Sequence, residues 1–581
     1  MSEGRGLIRT HIQTHLYTYL WSIFVMSIAH MLHALYPEVI GRFTDALKEG
    51  RLTQEAVLGY ALFLLSIGTG YGVLFGYGQY INHRCGRTFE YNTRQRLFTH
   101  YTTLSEAYFS RNGIGKLLSY VMNDVTTVRE LLANALNQLT SAIIVLLTAI
   151  VMMVISGVPL MFLAASVLPL LSIPLLVIYF GPRIRKRSAE VQESLAKMTE
   201  SAEEQFGGIR VAKTFAIEPI AERRFGVTVD RILEHQLKLV RSSSLFQSLI
   251  PFAGAVSFVV AILYGGYLTA QGRITLGDFV TVTLYLRMIM GPLQNIGQVI
   301  NTMQRARASL DRLTALLAVA PDIQDVAVPT ELAAETADIE VRGMSFTYPG
   351  ASRAALSHID MHVPTGKTLG IIGRTGSGKT TLVKLLLRVY DPPRGAIFVG
   401  GVDIRDLSLE SLRTQIAYVP QDGFLFSTTI GDNIAFSDRD MDADRVEEAA
   451  KLAKIYRSIE KMPERFDTLL GERGLTLSGG QRQRTSLARG LVKSAPILIL
   501  DDSVSAVDAI TESSILRNIR RSRKDKTTII IAHRISALKH ADEIVVLGDS
   551  EVIERGTHEQ LLAAGGYYAS LCEIQGEAVL E

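Results

Sequence analysis

Between Leu131 and Pro182 the chain carries no Asp, Glu, Lys or Arg at all. A membrane-crossing helix needs about 20 apolar residues, so this stretch has room for two such helices and a tight turn. Apolar windows of similar length run at 15–37, 56–81, 132–156, 158–180, 244–270 and 279–300. The expectation is six membrane helices. The competing reading, a soluble bundle with buried helices, accommodates six windows of this length poorly.

The loops between windows differ in charge. Residues 84–130 and 183–241 are long, charged and helical in pattern; the first opens with Arg84, Arg87, Arg94 and Arg96, the second with Arg183, Arg185, Lys186 and Arg187. Lys and Arg gather on the cytoplasmic side of a membrane, so these two loops face the cytoplasm. The 39–55 loop balances acids and bases and is placed outside. An even helix count then puts both termini in the cytoplasm. The first apolar segment is long and lacks a small-residue cleavage site, which suits a retained helix rather than a signal peptide. The net charge of +3 is too small to imply a nucleic-acid partner. Cys85 and Cys572 lie far apart, fit a reducing compartment and offer no metal spacing.

At 581 residues the chain exceeds a single core, and its last 240 or so residues read as an ordinary soluble domain. The run Gln304–Leu313 is an amphipathic helix leaving the membrane, and a loose polar stretch follows. The expected division is a membrane domain over 1–317, a linker over 318–336 and a soluble domain over 337–581. In the last, β-like runs at 339–347, 368–372, 497–500 and 527–532 alternate with helical patterns, as in a parallel α/β sheet. The fold class expected is an all-α six-helix transmembrane domain followed by an α/β P-loop ATPase.

That ATPase reading rests on Gly373-Arg374-Thr375-Gly376-Ser377-Gly378-Lys379-Thr380, which follows an apolar strand and, from Thr381, opens a helix. Glycines let backbone N–H groups turn inward around phosphates at a helix N-terminus that already favours anions. Lys379 reaches the β and γ phosphates, and the Thr380 hydroxyl ligates Mg²⁺. The strand Ile497–Leu500 ends in Asp501, the acidic element that holds Mg²⁺ in such sites. ATP and Mg²⁺ are therefore the expected cofactors.

The order of further motifs resembles the ATP-binding cassette (ABC) exporters. Leu477-Ser478-Gly479-Gly480-Gln481 is similar to the family's signature sequence and precedes Asp501 by about the family's spacing. The resemblance implies that Tyr348 stacks on adenine, that Gln421 is the Q-loop residue contacting Mg²⁺ and the attacking water, and that Ser505–Asp508 forms the D-loop. It makes His533 the switch histidine facing the γ-phosphate. Gly471-Glu472-Arg473-Gly474 is similar to a short motif that precedes the signature in exporters. In the membrane half, 108–118 with Asn123-Asp124 resembles the first cytoplasmic coupling segment, and 208–215 the second. Family members pair head to tail, so Ser478, Gly479, Gly480 and Gln481 would complete a partner's ATP site.

One position departs from the family pattern. Competent members place a glutamate after the Mg²⁺ aspartate to polarise the attacking water; here the residue is Asp502. Its carboxylate sits roughly 1.5 Å back, and misplacements near 1 Å can cost about a hundredfold in rate. The resemblance thus implies the degenerate-site subunit of a Bacillus-type heterodimeric multidrug exporter in a bacterial plasma membrane, whose partner supplies the glutamate. A homodimer with Asp502 as working base, exporting lipid or peptide, is the alternative, as is an ATP-binding regulatory subunit. The cargo expected is hydrophobic or amphipathic.

Other residues carry less. Arg287, within the last window, either lines a substrate cavity or sits at a water path with a local partner. His30 and His33 are expected to be solvated or hydrogen-bonded rather than proton-coupling. Pro159, Pro169 and Pro174 should bend the fourth helix.

Overall fold

The computed structural model describes residues 3–332, 337–438, 440–471, 474, 477–505 and 507–576. Two compact units emerge, Met1–Thr103 with Asn112–Ala320, and Leu104–Arg111 with Pro321–Glu581.

In the first unit six helical segments are long and apolar enough to cross a membrane: Leu16–Lys48, Gln54–Thr103, Ile114–Ile155, Leu160–Gly207, Glu218–Ala270 and Leu276–Leu317. Each of the six windows read from the sequence coincides with one of them, overhanging an end by at most two residues. The helices run well beyond the apolar windows because the charged flanks keep helical periodicity. Thus Gln304–Leu313 is the end of the sixth span rather than a separate helix, and most of the 39–55 loop is helix, Leu35–Lys48. At about 1.5 Å per residue, the 53-residue fifth span is far longer than a bilayer is thick. The fourth span is broken by a 3₁₀ turn, Leu168–Leu171, centred on Pro169, and Pro159 precedes its first helix. Proline lacks the N–H that would continue the ladder.

The enclosed side chains of this unit range from small to large. Ala149, Phe162, Ile173, Ala261, Val282 and Tyr285 are fully enclosed, and the Tyr285 hydroxyl donates to the Ala34 carbonyl at 2.7 Å. His30 corrects the expectation above: it is buried, and neither ring nitrogen has a hydrogen-bond partner among the described residues. Its ring packs edge-on to Phe75 at 5.4 Å, while His33 stacks on Tyr71 at 4.5 Å. Aromatic packing takes the place of solvation there. Beyond the apolar windows, buried Asp124 accepts from Ser309 at 2.8 Å and from Arg312 at 3.0 Å, tying the third span to the sixth.

The second unit contains two sheets. One has four strands in the order β2-β1-β4-β5, with β1 Ile339–Phe346, β2 Leu356–Val363, β4 Ile397–Val399 and β5 Val402–Asp403. The other has six, in the order β10-β9-β3-β8-β7-β6: β3 Thr368–Gly373, β6 Ile416–Val419, β7 Ile497–Asp501, β8 Thr527–Ile531, β9 Glu543–Gly548 and β10 Glu551–Gly556. In the six-stranded sheet all pairs are parallel except β10 with β9. The run at 339–347 therefore belongs to an antiparallel sheet, not to the parallel one. Its burial alternates where that of β7 and β8 is continuous, as expected of a sheet with one wet face against one covered on both.

Two apolar cores lie in this unit. One holds Ile371, Leu382 and Ile499, the other Leu487, Leu498 and Ile515. Beside the first of them lies a buried charge: Arg388 is 1% exposed, paired with Asp391 at 3.0 Å and donating to the carbonyls of Ile404, Leu407 and Gln324. The segment 104–111 packs here too, its Glu106 accepting from Lys384 at 2.6 Å.

Candidate nucleotide site

Parallel strands place their carboxyl ends along one edge, and ligands of open α/β sheets bind in the crevice there. Strands β3, β7 and β8 end side by side, with Ile371 and Asp501 both in register with Ile531. The loop after β3 climbs over that edge and enters the helix Lys379–Leu386. Gly376 and Gly378 hold φ of +86° and +101°, a region L side chains avoid. A Cβ at Gly378 would also meet the Ala355 carbonyl at 2.6 Å, so the loop's path depends on glycine.

A cavity of about 430 Å³ lies against this loop, lined by Tyr348, Thr375, Gly376, Gly378, Lys379, Thr380, Thr381, Gln421, Asp501, Asp502 and His533. Residues up to 185 positions apart in sequence thus meet at one cavity. Lys379 is buried and donates to the carbonyls of Gly373 at 2.7 Å and Arg374 at 2.9 Å. An ammonium has three donors, so one remains for a phosphate. Burial lowers its pKa, opposed by the charges of Asp501 and Asp502. Burial likewise raises that of Asp501, against hydrogen bonds from Tyr418 and Thr380; the Tyr418 hydroxyl lies 3.3 Å from its Oδ2. A buried carboxylate beside a threonine hydroxyl is a hard-oxygen pair suited to Mg²⁺. The hydroxyl of Ser377, buried in the loop, has no hydrogen-bond partner among the described residues. These groups fit a magnesium-bound nucleoside triphosphate.

Asp502 lines the same cavity, next to Asp501. Its φ is +46°, its N–H donates to Ile531 O at 2.8 Å, and its carbonyl accepts from Gln483 Nε2 at 2.9 Å and Ser505 Oγ at 3.0 Å. Gln421 Nε2 donates to its carboxylate at 3.2 Å. Tyr348 also lines the cavity, its hydroxyl 3.0 Å from Thr381 Oγ1 and its ring T-shaped to Tyr390 at 5.1 Å.

Not every expected residue lines this cavity. Gly373, Arg374 and Ser377 do not; the Arg374 guanidinium turns away over the Tyr567 ring at 5.4 Å. Arg374 can serve a phosphate only through its backbone. Ser478–Gln481 lie elsewhere and build a capping box at the start of the helix Gly479–Val492. Asp508 caps the helix Ala509–Ser522 through Thr511 N–H at 2.9 Å. Glu472 and Arg473 of the motif before the signature, and Ala506 of the D-loop, fall outside the described residues. Sequence reasoning missed Tyr418, Gln483 and Gln575, whose amide donates to the His533 carbonyl at 2.8 Å. Tyr418 and Gln483 each stand two or three residues from a residue already singled out; Gln575 has no local signal.

Arg287 lies on the sixth span, exposed and without an ion pair among the described residues.

Known proteins share this chain's architecture. Residues 19–293 match the ABC transporter transmembrane region, and residues 356–505 match the ABC transporter ATPase family. The chain is 34% identical over 559 residues to a Bacillus subtilis protein described as "Probable multidrug resistance ABC transporter ATP-binding/permease protein YheI", covering 96% of this chain and 95% of that one. It is 35% identical over 482 residues to an ATP-dependent lipid A-core flippase of Syntrophus aciditrophicus, covering 83% and 80%. A solved bacterial Atm1-family ABC exporter with ATP bound aligns with a TM-score of 0.80 at 26% identity, over 98% of this chain and 99% of that one.

Proposed function

The chain belongs to the ABC transporter family as an exporter-type half-transporter, and from that premise we propose that it is the slow-site subunit of a heterodimeric exporter of hydrophobic or amphipathic compounds. The observation that carries this is Asp502, one methylene short of the glutamate the family places after its magnesium aspartate. Its backbone is held from three sides, by Ile531, Gln483 and Ser505. The strand end has little freedom to carry a shorter side chain forward. A loss of about a hundredfold follows from a displacement near 1 Å.

In this reading Lys379, Thr380 and the loop amides bind the phosphates, Tyr348 takes the adenine, and Asp501 with Thr380 and Gln421 holds Mg²⁺. The metal supplies charge neutralisation on the phosphate oxygens. Gln421 and His533 orient the γ-phosphate side, and Asp502 is a weak base. Ser478–Gln481 face away from their own chain's cavity because their task is to close the partner's. Asp508 holds the D-loop end of that surface. Closure of the pair is a population shift between inward- and outward-facing states, biased by ATP. The domain limits proposed remain 1–317, 318–336 and 337–581, in a bacterial plasma membrane with both termini cytoplasmic. The relative named as a multidrug resistance protein favours drug-like cargo.

The test is isolation of the native complex from membranes. A second half-transporter with glutamate after its own magnesium aspartate should be present at equal stoichiometry. Ser478→Ala in this chain should then lower ATP turnover of the pair at least about tenfold. A complex containing two copies of this chain and no other half-transporter would overturn the heterodimer.

A further inference from the structure

Across the six apolar windows Arg287 is the sole Asp, Glu, Lys or Arg. Inside those windows no acid of this chain is available to neutralise it, Glu38 at the edge of the first being paired with Arg42 at 3.0 Å, and Arg287 is exposed without an ion pair among the described residues. Four amides follow it down the sixth span, Gln294, Asn295, Gln298 and Asn301, all exposed. At 100° per residue these five side chains fall within an arc of about 120° on one face of the helix. The opposite face, Val282, Tyr285, Leu286 and Ile289, is buried against neighbouring spans. A polar stripe with a guanidinium at its head is costly against hydrocarbon and is normally turned to a water-filled path. From Arg287 to Asn301 it extends about 21 Å along the axis. A single ion pair to another subunit would need one contact and no such length; a cargo moving along the helix would use all of it.

We propose that Arg287 and the amide stripe below it bind the negatively charged head of an amphipathic cargo. The inference rests on the exporter reading and narrows its cargo to anions. The guanidinium offers a planar fork that matches carboxylate, sulfonate or phosphate oxygens, and the amides hydrogen-bond the head as it travels while the tail remains among apolar side chains.

Binding without nucleotide tests this independently of how fast the ATP site turns over. The full chain, in nanodiscs of phosphatidylcholine, is titrated with radiolabelled taurocholate as the anion and rhodamine 6G as the cation. The unaltered chain should bind taurocholate, and Arg287→Gln should weaken it at least about tenfold, the scale of one lost charge-assisted pair. Arg287→Lys should restore most of the loss, and Arg287→Glu should reverse the preference toward rhodamine 6G. Retained binding of a fluorescent ATP analogue shows that each variant is folded. Adding phosphatidylglycerol to the discs separates the sources: displacement of taurocholate identifies a lipid headgroup as the anion, and no displacement a small-molecule cargo. Taurocholate affinity unchanged in Arg287→Gln, or no taurocholate binding to the unaltered chain, overturns the proposal.

Discussion

Lys379 and Asp501 are two buried opposite charges held close to each other but not paired, and each is strained by its burial. Lys379 spends two of its donors on loop carbonyls, which keeps the ammonium in place for a phosphate. Lys379→Ala should therefore weaken binding of a fluorescent ATP analogue at least about tenfold, since a charge-assisted hydrogen bond contributes roughly 1.5–3 kcal/mol. Asp501 gives a pH-dependent signature. Its pKa is raised in the fold, chiefly by burial, so the ionised form destabilises the nucleotide-free protein once pH rises through that pKa. Asp501→Asn should melt higher than the unaltered chain at neutral pH without Mg²⁺. The difference should shrink as pH falls toward the ordinary carboxylate value of 3.8. Mg²⁺ and ATP should raise the melting point of the unaltered chain and not that of the variant. Equal melting curves across pH would contradict the assignment.

Among the elements, the phosphate loop was legible because all its chemistry is contiguous, glycines, lysine and threonine within eight residues of a strand end. Asp501 was legible for the same reason, as the first polar residue after an unbroken apolar strand. The six spans were legible because bilayer thickness sets a length that few soluble helices reach. The four-stranded sheet was not, since β1 looks alike whether its partner runs parallel or antiparallel, and β4 and β5 have only three and two residues. Nor was Gln575, brought to His533 by the last helix across 42 positions. Arg388 is another such case: a sequence suggests a surface arginine, whereas the fold closes two loops and Gln324 around it. Removing it strands the carbonyls of buried Ile404 and Leu407 and leaves Asp391 only the more distant Arg405 at 3.7 Å, a loss of about 3 kcal/mol. Arg388→Ala should lower the melting temperature of the purified chain by more than about 5 °C, and an unchanged transition would refute the role.

At the scale of the whole molecule, a multi-pass membrane domain and an ATPase share one chain, and the proposed function splits the site's chemistry between what a chain keeps for itself and what it offers another. Lys379, Asp501 and Asp502 converge on one cavity, while Ser478–Gln481 form a capped helix start away from it. In the proposed reading such a chain completes its site only across a pair, with a second copy of itself when purified alone, and the shorter carboxylate at Asp502 makes its own site the slow one. The most direct test is steady-state ATP hydrolysis by the purified full chain in nanodiscs, beside the Asp502→Glu variant. The account predicts a nearly silent unaltered chain and a variant at least about tenfold faster. Brisk hydrolysis by the unaltered chain, with no gain in the variant, would contradict it and make Asp502 a competent base.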